Sequence, residues 1–315
     1  MKALIIVPII VGSALFVTGG AVMAVAIANN NNNLKVVNTY ADLSSFSNIN
    51  IDLDTADLQF EVAADGKPKV VCTEAKKQLH EVKSENNTLT IKAHDQRRWY
   101  EKVLNFSYFK RNIVIYMPTG TYTDAVIKAS TGDINIPHDF SFNTLNVKTS
   151  TGDSRIKSDV ATSTYVEAST GNVTLSEMST KELNIKTSTG NIYLEKVNVE
   201  TSVTVNASTG KVKTNELKAK NFSSNTSTGD VRMTNSIMEE NIDIKTSTGD
   251  VNFDGADAAT LHIKTSTGDV KGTLLTSKIF QAKSSTGKIN VPTSTTGGLC
   301  EVETSTGDIV LSIKA

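Results

Sequence analysis

The groups best able to do chemistry in this chain are few and far apart. Four histidines (His80, His94, His138, His262) and two cysteines (Cys72, Cys300) are its whole stock of imidazole and thiol. Metal ligation and thiol–imidazole catalysis both need such groups at close spacing. No Cys/His cluster here has metal-ligand spacing, and His262 falls on an outward strand position that suits a solvated histidine. Ser and Asp are abundant, but a repeat accounts for them without a catalytic triad. No glycine-rich loop opens a helix to cradle phosphate. The expectation is a non-enzymatic protein with no catalytic residue, no metal ligand and no cofactor.

One column of carboxylates does stand out. Asp133, Asp153, Asp230, Asp250, Asp269 and Asp308 each follow a glycine, and Asn172, Asn191, Lys211 and Lys288 hold the same place in other copies. Stacked at about 4.8 Å, Asp230, Asp250 and Asp269 would repel one another and could attract a cation. Turn chemistry is favoured instead. Asp and Asn accept local backbone bonds, while Lys245 and Lys264 screen Asp250 and Asp269 across the corner. The calcium-binding β-roll nonapeptide, with its second glycine, is absent.

The glycines belong to ten Ser-Thr-Gly tripeptides that start at Ser130, Ser150, Ser169, Ser188, Ser208, Ser227, Ser247, Ser266, Ser285 and Ser305, spaced 19 or 20 residues apart. Such a period marks a solenoid, in which units stack because one alone cannot bury its apolar face. Five, three and one residues before each Ser the chain is apolar or small, as in Leu145-Val147-Thr149 and Val203-Val205-Ala207. Four and six after it the alternation resumes, as in Ile134-Ile136 and Ile192-Leu194. That period of two predicts short strands with one buried face, joined at a Ser-Thr-Gly corner. The expected fold is all-β, a single-stranded β-solenoid with coils of 19–20 residues. Gly132, Gly152, Gly171, Gly190, Gly210, Gly229, Gly249, Gly268, Gly287 and Gly307 are then structural turn residues, where positive φ excludes a Cβ. The variable spacing is absorbed in return segments such as Ser158 to Ser163 or Glu195 to Glu200. Outward, two before the Ser, lie Lys128, Lys148, Lys186, Lys245, Lys264 and Lys283.

Residues 3–28 carry no charged side chain and are long enough to span a bilayer. With Lys2 ahead of them, the remainder is placed outside the cytoplasm. A cleavable signal peptide is the competing reading, since Ala26-Ile27-Ala28 offers a cleavage site. The organisation expected is therefore an anchor or signal peptide at 1–28 and an Asn-rich spacer at 29–33. Opening coils with a cap follow at 34–118, and the repeat solenoid fills 119–315.

Within the opening region, 94–111 is unlike the rest. It interleaves Arg97, Arg98, Lys102, Lys110 and Arg111 with Trp99, Tyr100, Phe106, Tyr108 and Phe109. An inserted loop or short helix packing over the solenoid end is expected. The alternative is a contact site for an anionic envelope polymer, lipid headgroups or a partner, formed by Arg97, Arg98, Trp99, Tyr100, Phe106, Tyr108 and Phe109. Cys300 lies in the last coil, nine intervals of about 4.8 Å from the first corner. A disulfide needs Cα atoms within about 7 Å, so no bridge is expected. A net charge of −1 offers no broad basic field for nucleic acid.

From about Phe46 onward the chain resembles the bacterial DUF4097 family, often labelled adhesin. NINIDLDTADLQFEV, RNIVIYMPTGTY, VKTSTGD, IKTSTGNIYL and IKTSTGDV carry the resemblance, over about 270 residues. It implies an exported or membrane-tethered, right-handed β-solenoid, and it transfers no catalytic residue. Two functions follow. One is a membrane-anchored surface rod for adhesion or envelope contact. The other is a regulatory subunit that senses envelope stress through a membrane partner. A polysaccharide-acting enzyme on a β-helix is disfavoured, because such sites need clustered carboxylates on one face.

Overall fold

A computed structural model describes residues 35–98 and 111–314. The apolar run 3–28 lies outside them, and among the described residues no helix is long and apolar enough to cross a membrane.

Every described element is a β-strand, and the inward positions of the repeat are where the core sits. Leu145, Val147, Leu183, Ile185, Ile242 and Ile244 are buried, as are Ile134, Ile136, Ile192 and Leu194 after the corner. Each coil places one strand on either side of its corner, and the same strands of successive coils pair in parallel. Thus β8 (Gly120–Thr131) and β9 (Ile134–Ile136) form the first Ser-Thr-Gly coil. Strands β10 (Phe140–Thr151) to β19 (Val251–Asp254) continue the stack in register, with Leu145 opposite Ala125 and Thr164. Register shifts fall in the return segments, for instance between Val160 and Ser163 and between Asn198 and Ser202.

The corner glycines have φ between +134° and +156°. A second constraint is stronger. A Cβ built on Gly249 would lie 2.1 Å from the Gly229 carbonyl oxygen, and one on Gly190 would lie 1.9 Å from that of Gly171. Successive corners stack backbone on backbone, so glycine is required by close approach as well as by φ. Small residues just before the Ser serve the same stack: the Thr304 hydroxyl donates to the Gly268 carbonyl at 3.1 Å and Ser284 to Gly307 at 2.9 Å.

A second corner, eight residues after the Ser, escapes sequence patterning. Glu177, Lys196, Glu216 and Asn235 hold φ of 55°, 52°, 54° and 45° there, and Gly255 holds 66°. Glycine fills this place once, at Gly255, where a Cβ would meet side-chain atoms at 3.1 and 3.8 Å and no backbone.

Both ends depart from chain order. At the start, β2 (Asn48–Thr55) and β3 (Asp57–Val62) form a coil against β8 and β9. The later strands β6 (Thr88–Asp95) and β7 (Asn112–Met117) stack outside it. An antiparallel hairpin of β4 (Lys69–Ala75) and β5 (Gln78–Glu85) closes the mouth, with β1 (Lys35–Tyr40) as edge strand on β4. At the far end, β20 (Thr260–Thr267) and β21 (Val270–Leu274) pair with β24 (Gly298–Thr306) and β25 (Ile309–Ile313). Strands β22 (Lys278–Thr286) and β23 (Ile289–Asn290) lie outside them. The final coil of the chain is therefore next to last in space, which corrects the expectation that the Cys300 coil ends the rod.

Gly297 and Gly298 make that insertion sterically possible. A Cβ on either would meet the carbonyl oxygen of Ser277 at 1.9 Å or of Ala259 at 1.8 Å, on the two coils that flank the passage. Asp257 pins the crossing. Its Oδ2 accepts the Leu275 and Thr276 N–H groups at 3.0 and 2.6 Å, and its Oδ1 lies 2.7 Å from the buried Lys278 ammonium.

Candidate functional site

The corner side of the rod carries a groove. Between the outward Lys column and the Ser column, small residues (Ala129, Thr149, Ala168, Thr187, Ala207) leave a depression. One hollow of about 410 Å³ runs from Asp52 and Lys128 to Glu167 and Ser169. A second of about 320 Å³ continues from Glu167 and Ser169 to Asn225 and Ser227. The two share Glu167 and Ser169 and so form one trough across consecutive coils. Exposed hydroxyls of Ser130, Ser150, Ser169, Ser188, Ser208 and Ser227 line it, one per coil at about 4.8 Å.

Its charges are Lys128, Lys148 and Lys186 against Asp52 and Glu167. Lys148 lies 2.9 Å from Glu167, whose other contact is the Tyr165 hydroxyl at 2.9 Å. Those two hydrogen bonds hold the Glu167 carboxyl below the usual carboxylate range. Lys148 and Lys186 both stand over the Tyr165 ring, 5.2 and 5.6 Å from its centroid. Tyr165 thus borders the lysine column on the side away from the hydroxyls, with two cations over its ring. This suits binding of an extended polar chain.

The carboxylate column does something other than expected. Asp133, Asp153, Asp230, Asp250 and Asp269 each accept the backbone N–H of the equivalent residue one coil on, at 2.7 to 3.2 Å. The bonds join coils rather than closing local turns. The expected lysine screening is also corrected: Lys245 pairs with Asp243, Lys264 with Glu303, and Asp269 with Lys271. Lys264 meets Glu303 because the last coil intervenes before Lys283.

Of the aromatic and basic segment, Trp99, Tyr100, Phe106, Tyr108 and Phe109 lie outside the described residues. Arg97 grips Asp95 with two bonds of 2.9 Å. Turned to face the guanidiniums, the Gln78 amide oxygen accepts from Arg97 at 2.7 Å and from Arg111 at 3.0 Å. Partial burial pulls the Arg111 pKa down. Arg97 thereby ties the chain just after β6 to Gln78, and Arg98 also has a partner.

Both cysteines are free and buried. Burial pushes each thiol up to about 12, so neither is a thiolate nucleophile at neutral pH. His262, 43% exposed, lies 3.0 Å from Glu301. His80 is the residue that sequence reasoning missed. The absence of ligand spacing along the chain hid a cluster of Cys72, Glu74 and His80, which the cap hairpin folds together. The available signal was Cys72 and Glu74 two apart on one strand face, with a histidine just beyond the turn.

The chain matches the Toastrack DUF4097 family over residues 46–204 and 200–315. No curated protein matches it. Solved structures do. A "putative adhesin" from Bacteroides fragilis is 15% identical with a TM-score of 0.43, covering 89% of this chain and 97% of that one. A "putative lipid binding protein" from Parabacteroides distasonis is 14% identical at TM-score 0.46, covering 90% and 98%. A "putative adhesin" from the same organism is 11% identical at 0.44, covering 89% and 97%. Likenesses of this degree carry no argument about ligands.

Proposed function

The chain belongs to the Toastrack DUF4097 family, and from that premise we propose that it is a non-enzymatic, adhesin-like β-solenoid that binds an extended envelope polymer along its corner groove. The groove carries the proposal: one hydroxyl per coil and three lysines against two carboxylates, with Tyr165 bordering the lysine column. A polymer that repeats at about the coil spacing meets the same group on each coil, so weak contacts add by multivalency. The uncharged run 3–28 supports display outside the cell, tethered to the membrane or released from it. The preferred ligand is hydroxylated and anionic, because Glu167 is already paired to Lys148 and the lysines outnumber the acids.

Cosedimentation of the full-length protein with isolated bacterial envelopes tests this. Replacing Lys128, Lys148 and Lys186 together by Ser should weaken attachment about tenfold, at roughly 0.5 kcal/mol per exposed charge. Added salt should weaken the wild type similarly. Attachment unchanged by the triple substitution would overturn the proposal.

A further inference from the structure

Glu74 is wholly buried, and so, nearly, is His80. The Glu74 carboxylate accepts the Asn38 amide at 2.6 Å and the His80 backbone N–H, and lies 2.8 Å from His80 Nδ1. Among the described residues, His80 is its only ion-pair partner. The His80 Nε2 atom is buried with no hydrogen-bond partner.

No protonation state of this pair is complete. If His80 is neutral and donates from Nδ1, Glu74 is a buried anion with no counter-charge, which is costly. If His80 is an imidazolium, charge is balanced but Nε2–H is a buried donor with no acceptor. If Glu74 carries the proton and donates to Nδ1, Nε2–H is orphaned again. An orphaned buried donor costs about 1–3 kcal/mol. A cation bound between the ring and the carboxylate supplies the counter-charge that Glu74 lacks, and one that takes Nε2 also satisfies the orphaned atom.

The third member of the cluster supplies the remaining charge. One ligand atom from each of Cys72, Glu74 and His80 lies within 4.8 Å of the other two. Tetrahedral zinc, with bonds of roughly 2.0–2.3 Å, holds its ligands about 3.3–3.8 Å apart. Ligation at Nδ1 therefore widens the 2.8 Å Glu74–His80 contact by about 0.5 Å and draws Cys72 in by no more than about 1.5 Å. We propose that Cys72, Glu74 and His80 form a binding site for a zinc-class divalent cation. A thiolate and a carboxylate around such an ion give a neutral site, and the thiol proton passes to solvent on binding. A sulfur, nitrogen and oxygen set favours zinc over calcium or magnesium, which take oxygen alone.

The position gives the ion a structural role. Edge strand β1 lies over the site through Asn38 on Glu74, and the Tyr40 hydroxyl donates to the His80 carbonyl at 2.9 Å. An ion here clips β4 to β5 beneath β1, at the mouth of the rod. Because β1 pairs with β4 alone, its lifting admits the ion.

The test uses the full-length protein, kept reduced, stripped with EDTA and reloaded with cobalt(II) chloride. The expected result is one cobalt per chain with a thiolate-to-cobalt charge-transfer band, displaced by zinc. Cys72→Ser should abolish the band, His80→Gln should weaken zinc binding at least about tenfold, and Cys300→Ser should change neither. In the wild type, zinc should slow amide exchange in the β4–β5 hairpin relative to stripped protein. Two results would overturn the site: stripped wild-type protein that binds no cobalt, or a band that survives Cys72→Ser.

Discussion

Substituting Gly249 by Ala is a sharp perturbation, because two separable penalties act there. The first is backbone conformation: at φ +155° an L side chain is strained, at a cost of about 1–2 kcal/mol. The second is contact. The new Cβ would stand 2.1 Å from the Gly229 oxygen and 2.6 Å from its carbon, more than 1 Å inside van der Waals distance. Relief requires the two coils to part, yet that junction is held by Gly229 N–H to Thr248 at 2.9 Å and by Asp250 N–H to Asp230 at 3.2 Å. Overpacking of this kind costs about 1–3 kcal/mol, for a total of about 2–5 kcal/mol. Gly66 is the internal control. Its φ is +68°, but nothing lies within 4 Å of its Cβ position, so Gly66→Ala incurs the backbone term alone. Urea melts followed by circular dichroism should place the Gly249→Ala midpoint well below that of Gly66→Ala. Equal midpoints would refute the stacked-corner explanation and leave only turn geometry.

Lys278→Met should strand the Asp257 carboxylate and destabilise the end of the rod by about 3 kcal/mol, read as faster amide exchange in 275–313 while central coils stay protected. Glu216→Gly relieves a left-handed residue at φ 54° and should raise stability by up to about 1 kcal/mol in a thermal melt; a lowered melting temperature would count against the second corner. Acid should loosen the coil ladder. The Lys271 ammonium and the Asp308 N–H hold Asp269 below the usual carboxylate range. Its contribution is thus complete above the unfolded value near about 4 and is lost as pH falls through the lower folded value. The pH-dependent loss of stability should shrink in Asp269→Asn, which keeps an acceptor oxygen without the charge.

The body of the rod was readable because its physics repeats. The alternation through Leu145-Val147-Thr149 and the glycine in every corner recur often enough to show one strand–corner–strand unit. The ends were not readable for the opposite reason. Nothing in the local pattern of Leu299 to Ile313 distinguishes a coil added outside its predecessor from one inserted behind it. The choice rests on long-range contacts of Asp257, Lys278 and the Gly297-Gly298 pair. The second corner was hidden because Glu177, Lys196 and Glu216 adopt a backbone that their residue types do not advertise. The groove was half visible, in the Lys and Ser columns, but its depth depends on the small Ala129, Ala168 and Ala207 lying buried at its floor. The Cys72–Glu74–His80 cluster was missed because metal spacing was sought along the chain, whereas a hairpin supplied it.

The groove as a polymer-binding surface is tested most directly by hydroxyl-radical footprinting of the full-length protein, with and without soluble polymer released from purified bacterial envelopes. Protection confined to Tyr165 and its groove neighbours Lys148 and Lys186 is the expected result. Protection of Trp99, Tyr100 and Phe106 with Tyr165 unchanged, or no protection at saturating polymer, would contradict it.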